Sequence, residues 1–167
     1  MEVFVNIAKN SNIVYNLDEK NGRFICEKIS KITYPFNFGI IPKTLGIDGK
    51  PINVLLLMDS TYSVLVPGCF LNCELLGFLE VKDYLQTHQI FIACQPSSVF
   101  YKPTKEIDNN TKNQINLFYS NYKSKESIIC EISVHVSEIK PACEAINIYK
   151  ESIYRYELVN QAKIKKI

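Results

Sequence analysis

Residues 47–58 read Ile47-Asp48-Gly49-Lys50-Pro51-Ile52-Asn53-Val54-Leu55-Leu56-Leu57-Met58. Asp48-Gly49 is a turn dipeptide, because glycine reaches left-handed φ without a steric penalty. Pro51 closes the turn by fixing φ and removing a backbone donor. The run Ile52–Met58 that follows is apolar enough to predict a buried strand. A tight turn feeding a buried strand makes this segment the centre of a β-rich fold.

Toward the N-terminus, Val3, Val5 and Ile7 alternate with Glu2, Phe4 and Asn6, the period-two pattern of a strand. Ile13–Leu17 is a second strand, Asn21-Gly22 turns the chain, and Arg23–Lys28 is the hairpin partner. Tyr34–Gly39 is an aromatic loop or short strand. Toward the C-terminus, Pro67-Gly68 marks a turn, and Cys69–Glu74, Gly77–Val81 and Gln89–Cys94 are strands. Gln95–Asn109 is polar, contains Pro96 and Pro103, and predicts a long surface loop.

Two helices are expected. About Asn110–Tyr122, Gln114, Leu117, Phe118 and Tyr122 recur at helical spacing. About Pro141–Glu157, Pro141 suits a first turn, and Ala142, Ala145, Ile146, Tyr149 and Ile153 form an apolar stripe. Ser127–Val136 is a strand between them. The class is therefore mainly β (α+β). Many short strands suggest a closed or nearly closed barrel, which hides its edges, with two helices outside. A length of 167 residues fits one domain, 1–167.

Composition narrows the function. A formal charge of +2 is too small to argue for nucleic acid. The apolar run Val54–Met58 is far shorter than the ~20 residues of a membrane span. The N-terminal MEVFVNIAKN lacks a signal-peptide core, so a cytoplasmic protein is expected, without membrane partners. The six cysteines contain no CxxC pair. Cys69 and Cys73 on one strand would sit about 13 Å apart, too far for a disulfide or a shared ion. All six are expected to be free core thiols. No Gly-rich strand-to-helix loop, HExxH or Cys/His zinc spacing occurs.

Chemistry-bearing residues are sparse and each has a plain structural reading. The histidines are His88, just before a strand, and His135, in an apparent strand where a partly buried structural role is expected. Asp48 belongs to the turn, Asp83 follows a strand, and Lys123 ends a helix, where its charge favours the dipole.

Taken in order, these signals resemble the family I soluble inorganic pyrophosphatases. The resemblance runs from Val3-Phe4-Val5-Asn6-Ile7-Ala8-Lys9 and Val14-Tyr15-Asn16-Leu17-Asp18 through Tyr34-Pro35-Phe36-Asn37-Phe38-Gly39 and Ile41-Pro42-Lys43-Thr44-Leu45. Its centre is Asp48-Gly49-Lys50-Pro51-Ile52-Asn53-Val54-Leu55, similar to the family's Asp-Gly-Asp-Pro-x-Asp-Val-Leu signature. Pro67-Gly68, Gly77-Phe78-Leu79 and Leu117-Phe118-Tyr119-Ser120-Asn121-Tyr122-Lys123 complete it, over roughly residues 3–155. The resemblance implies an OB-like five-stranded barrel, magnesium held by crowded carboxylates, a metal-activated water, and self-association.

Carried over position by position, it leaves few of the family's carboxylates. Asp48 and Asp83 match, with Asp48, Lys50 and Asp83 at catalytic positions. Asn6 and Asn16 stand where glutamates are expected, Lys50 where the water-orienting aspartate is expected, and Asn53 in place of the signature's last aspartate. His88 falls near a further metal-binding aspartate. Tyr34, Tyr122 and Lys123 match phosphate-binding positions, and Lys28 replaces an arginine. Phe38 replaces a tyrosine, and Val14 and Ile90 replace lysines. The matched cations Lys28, Lys50 and Lys123 outnumber Asp48 and Asp83, a site charge near about +1.

Such a pocket predicts no magnesium or weak magnesium. An ammonium–carboxylate contact from Lys50 to Asp48 could replace the missing ion. The expected function is a catalytically inactive pyrophosphatase-fold protein used as a binding or assembly module, with weak affinity for phosphate or pyrophosphate in the pocket. The alternatives are a divergent metal-dependent inorganic pyrophosphatase and a structural β-protein. If the chain is active, Asp48, Asn53, Asp83 and His88 are the metal candidates, with Mn2+ or Zn2+ suited to the imidazole.

Overall fold

The computed structural model describes residues 1–18, 21–58, 64–83, 86–96, 106–126 and 134–164, with side chains of 122–126 and 163–164 excluded. The strands are β1 (Glu2–Ile7), β2 (Ile13–Asp18), β3 (Arg23–Ile29), β4 (Asn37–Ile41), β5 (Ile52–Leu57), β6 (Phe70–Asn72), β7 (Glu74–Lys82), β8 (Thr87–Cys94), β9 (His135–Val136) and β10 (Lys140–Pro141). The helices are α1 (Asn109–Glu126) and α2 (Ala142–Ile164).

The main sheet follows the order β10-β7-β8-β5-β4-β1-β6, with β9 also on β7. Its central path, β7-β8-β5-β4-β1, is the five-stranded wall expected of an OB-like barrel, and β2–β3 form a separate hairpin. All main-sheet ladders are antiparallel except β5–β8.

The apolar run of β5 is explained by burial on both faces. Leu55 and Leu57 join one core with Phe38, Ile92 and Ile115 of α1. Val54 and Leu56 join a second core with Val3, Phe91 and Ala145 of α2. The two helices therefore cover opposite faces of the sheet.

At Gly39, β4 leaves no room for a side chain against β1. A methyl group there would meet the Val3 side chain and lie 2.7 Å from the Phe4 carbonyl oxygen. Asn37, 1% exposed, pins the same strand by accepting backbone N–H bonds from Lys9 (2.9 Å) and Leu65 (3.0 Å).

Some expectations need correction. Pro141 lies in β10, paired with Gly77, and α2 begins at Ala142. The buried side of α2 is rotated from the expected stripe: Ala145 and Ser152 are buried, whereas Ile146 is 43% exposed. His135 is exposed on β9, because only two residues of that strand pair and Val136 takes the inner side. Cys73 and Cys94 are core thiols, but Cys26 and Cys143 are exposed on β3 and α2. Residues 127–133 of the expected strand Ser127–Val136, with Cys130, lie outside the described residues, as do residues 97–105 of the loop.

Candidate functional site

The turn between β4 and β5 is built to aim Asp48. Gly46 N–H donates to Lys50 O (2.7 Å), and Gly49 N–H donates to Gly46 O (3.1 Å). Gly49 adopts φ +75°, which glycine reaches without strain. Asp48 Oδ1 then accepts the Lys50 N–H at 3.1 Å.

Two further anchors hold this loop. Buried Thr44 donates to Ile41 O (2.6 Å) and accepts from Ile52 N–H (3.0 Å). Helix α2 grips Leu45 from both sides: Leu45 N–H donates to Ser152 O (2.9 Å), and Arg155 Nε donates to Leu45 O (2.8 Å). Sequence reading missed Thr44, Ser152 and Arg155. An Arg and a Ser more than one hundred residues from the turn give no local signal.

His88, near the start of β8, stands between the two matched carboxylates. Its Nδ1 lies 2.9 Å from Asp48 Oδ2 and its Nε2 lies 3.8 Å from Asp83 Oδ2. All three side chains are largely shielded, with exposures of 15% for His88, 7% for Asp48 and 2% for Asp83. Asp83 Oδ1 also accepts the Gln86 N–H at 2.8 Å.

Burial opposes ionisation of Asp48. The hydrogen bonds from His88 and the Lys50 N–H, with the positive charges of both residues, outweigh it and hold the carboxyl below its ordinary value. Lys50 therefore supports Asp48 through its backbone and its charge. The side chain that hydrogen-bonds Asp48 is the His88 imidazole, in the place suggested for the Lys50 ammonium.

A cavity of about 550 Å3 opens beside this constellation. Of the expected site residues, Lys28, Tyr34, Lys50, Asn53 and His88 line it. Asn6, Asn16, Val14, Phe38 and Ile90, the other substituted positions, line it too. Asp48 and Asp83 contact His88 but are not among the residues that line the cavity. Tyr122 and Lys123 lie on the last turns of α1, but their side chains are outside the described residues.

Glu27, Gln86, Phe118 and Tyr119 are lining residues that sequence reading missed. The two aromatics were within reach of the helical pattern: Phe118 and Tyr119 pack on Phe38 at ring-centroid distances of 5.6 and 6.5 Å. Burial, and then neighbouring Tyr34, push the Tyr119 phenol well above its ordinary value.

The donor set can be tested against the magnesium centre that the resemblance implies. Magnesium demands several hard oxygens around one point. Here the two carboxylates approach opposite edges of one imidazole, so they share no point without displacing His88. Among the described residues no group of three His, Cys, Asp or Glu side chains converges on a metal position. Asn6 Oδ1 is buried without a hydrogen-bond partner among the described residues, but it is a single neutral oxygen. The residues present do not fit a multi-magnesium centre.

Comparison with known proteins places the chain. A family model described as "Inorganic pyrophosphatase" matches residues 3–157. "Soluble inorganic pyrophosphatase" of Oryza sativa subsp. indica is 34% identical over 157 residues, 91% of this chain and 70% of the relative. "Soluble inorganic pyrophosphatase 1" of Arabidopsis thaliana is 31% identical over 159 residues, 92% and 72% of the two chains. The inorganic pyrophosphatase structure from Helicobacter pylori superposes with a TM-score of 0.80 at 27% identity, covering 94% of this chain and 93% of that one. The Thermus thermophilus structure, at 22% identity and a TM-score of 0.81, shares the fold over 94% and 91% of the chains. The ordered motifs, the fold and these relatives agree, and the chain belongs to the inorganic pyrophosphatase family.

Proposed function

We propose that residues 1–167 act as a single pyrophosphatase-fold unit that binds phosphate-bearing anions without hydrolysing pyrophosphate. The observation that carries this reading is the His88 ring between Asp48 and Asp83, at 2.9 and 3.8 Å. An imidazole in that position screens the carboxylates from each other, a task that a divalent ion performs where carboxylates crowd. The cavity keeps Lys28, Lys50 and Tyr34, which supply charge and a hydroxyl donor for an anion.

The opposing reading is an active inorganic pyrophosphatase. Family membership and the printed names of relatives at 31–34% identity favour it. In that reading Asp48, Asn53, Asp83 and His88 rearrange to hold Mg2+, Mn2+ or Zn2+, with Lys28, Tyr34, Tyr122 and Lys123 on the phosphates. Calorimetric titration with each ion separates the two. The proposal expects millimolar or weaker magnesium binding, and micromolar binding overturns it.

Self-association and a cytoplasmic location are proposed on family likeness. Among the described residues, no helix is long and apolar enough to cross a membrane. Light scattering at micromolar protein checks the first, and a mass equal to one chain would reject it.

A further inference from the structure

The cavity is polar at its mouth and apolar at its floor. Lys28, Lys50, Asn16 and Glu27 are exposed at the rim, so two lysines face one carboxylate there. Val14, Phe38 and Ile90 line the same cavity at only 6% exposure each, and the Tyr34 ring, 5% exposed, lies with them. Strand pairing fixes this gradient, because Val14 is the ladder partner of Lys28, and Ile90 is the partner of Asn53. The positions whose family counterparts carry a cation or hydroxyl, Val14, Phe38 and Ile90, are therefore the ones that make the floor apolar.

Inorganic pyrophosphate suits such a cavity poorly. It is charged at both ends, so one end would lie against buried aliphatic and aromatic groups without compensation. A volume of about 550 Å3 also falls in the ~300–1,000 Å3 range of pockets that hold organic ligands. Asn6 Oδ1, buried and without a hydrogen-bond partner among the described residues, also lines the cavity, where a water or a ligand hydroxyl can donate to it.

Resting on the anion-binding reading, we infer that this site takes an organic phosphomonoester. Its phosphate sits at the rim between Lys28 and Lys50, and its aromatic or aliphatic group sits on the Val14–Phe38–Ile90 floor. The apolar group supplies affinity that phosphate alone lacks, and the lysines fix its orientation.

The test is calorimetric titration of the full chain with inorganic phosphate, pyrophosphate and phenyl phosphate, without divalent ions. Phenyl phosphate is expected to bind at least tenfold more tightly than either inorganic anion. Lys28→Ala, at an exposed position, is expected to weaken phosphate and phenyl phosphate by a similar factor. Val14→Lys with Ile90→Lys is expected to reverse the order in favour of pyrophosphate. Pyrophosphate binding as tightly as phenyl phosphate to the wild-type chain overturns the inference and leaves the anion-binding reading standing. Binding of none of the three overturns both. Release of phosphate from pyrophosphate in a separate magnesium assay overturns only the inactive reading, since the affinity order is measured without metal.

Discussion

Replacing His88 by aspartate isolates what the imidazole does. Asp48 and Asp83 are 7% and 2% exposed, so His88→Asp places three carboxylates in a space with little water. The variant loses the 2.9 Å contact to Asp48 and puts a like charge where the imidazole separated Asp48 from Asp83. Leaving a buried hydrogen-bonded group without its partner costs about 1–3 kcal/mol, and the added repulsion places the expected loss at the upper end, about 3 kcal/mol. The same three carboxylates bring hard oxygens together, so magnesium at 100 times its Kd should return about 2.7 kcal/mol. Urea unfolding with and without magnesium measures both terms. A variant as stable as the wild type without metal, or a wild type that gains as much from magnesium as the variant, would refute the reasoning.

Other outcomes follow from the same geometry. Asp48 ionises below its ordinary value in the folded chain, so its contribution is complete above the ordinary carboxylate range and is lost as pH falls through the lowered value. Asp48→Asn should flatten that part of the urea midpoint-against-pH curve, and an unchanged curve would contradict it. Gly39→Ala should cost about 1–3 kcal/mol, because the added methyl meets Val3 and the Phe4 carbonyl rather than open space; thermal unfolding checks this. Lys50→Asp should produce no pyrophosphate hydrolysis, since Asn6, Asn16 and Asn53 still supply no charge and catalytic groups that act as a unit are non-additive. Adding Asn53→Asp should tighten magnesium binding in calorimetry before any activity returns.

Much of the fold was legible because its signals are local. The Asp48-Gly49 turn, the apolar run of β5 and the Asn21-Gly22 hairpin are each encoded locally, and all stand where expected. Strand number suggested a barrel, and the five-stranded wall followed from the family resemblance. What escaped depends on distant packing. The face of α2 that turns inward is chosen by contact with Val3 and Phe91, so Ile146 and Ser152 exchange the roles that hydropathy assigns them.

The site divides the same way. The ordered motifs named Lys28, Tyr34, Lys50, Asn53 and His88, which line one cavity. Sequence order could not show that His88 lies between Asp48 and Asp83, because that contact joins residues forty positions apart. Nor could it show that Arg155 holds the Asp48 loop through the Leu45 carbonyl.

Steady-state phosphate release from pyrophosphate by the wild-type chain, with magnesium, manganese and zinc each supplied in turn, tests the central claim most directly. The imidazole between the two carboxylates predicts release no faster than the protein-free control with every ion, since no ion gains the oxygens it needs beside a water. Turnover of about one per second or faster, within the ordinary range of enzymes, with any of the three would contradict the account and make Asp48, Asn53, Asp83 and His88 working metal ligands.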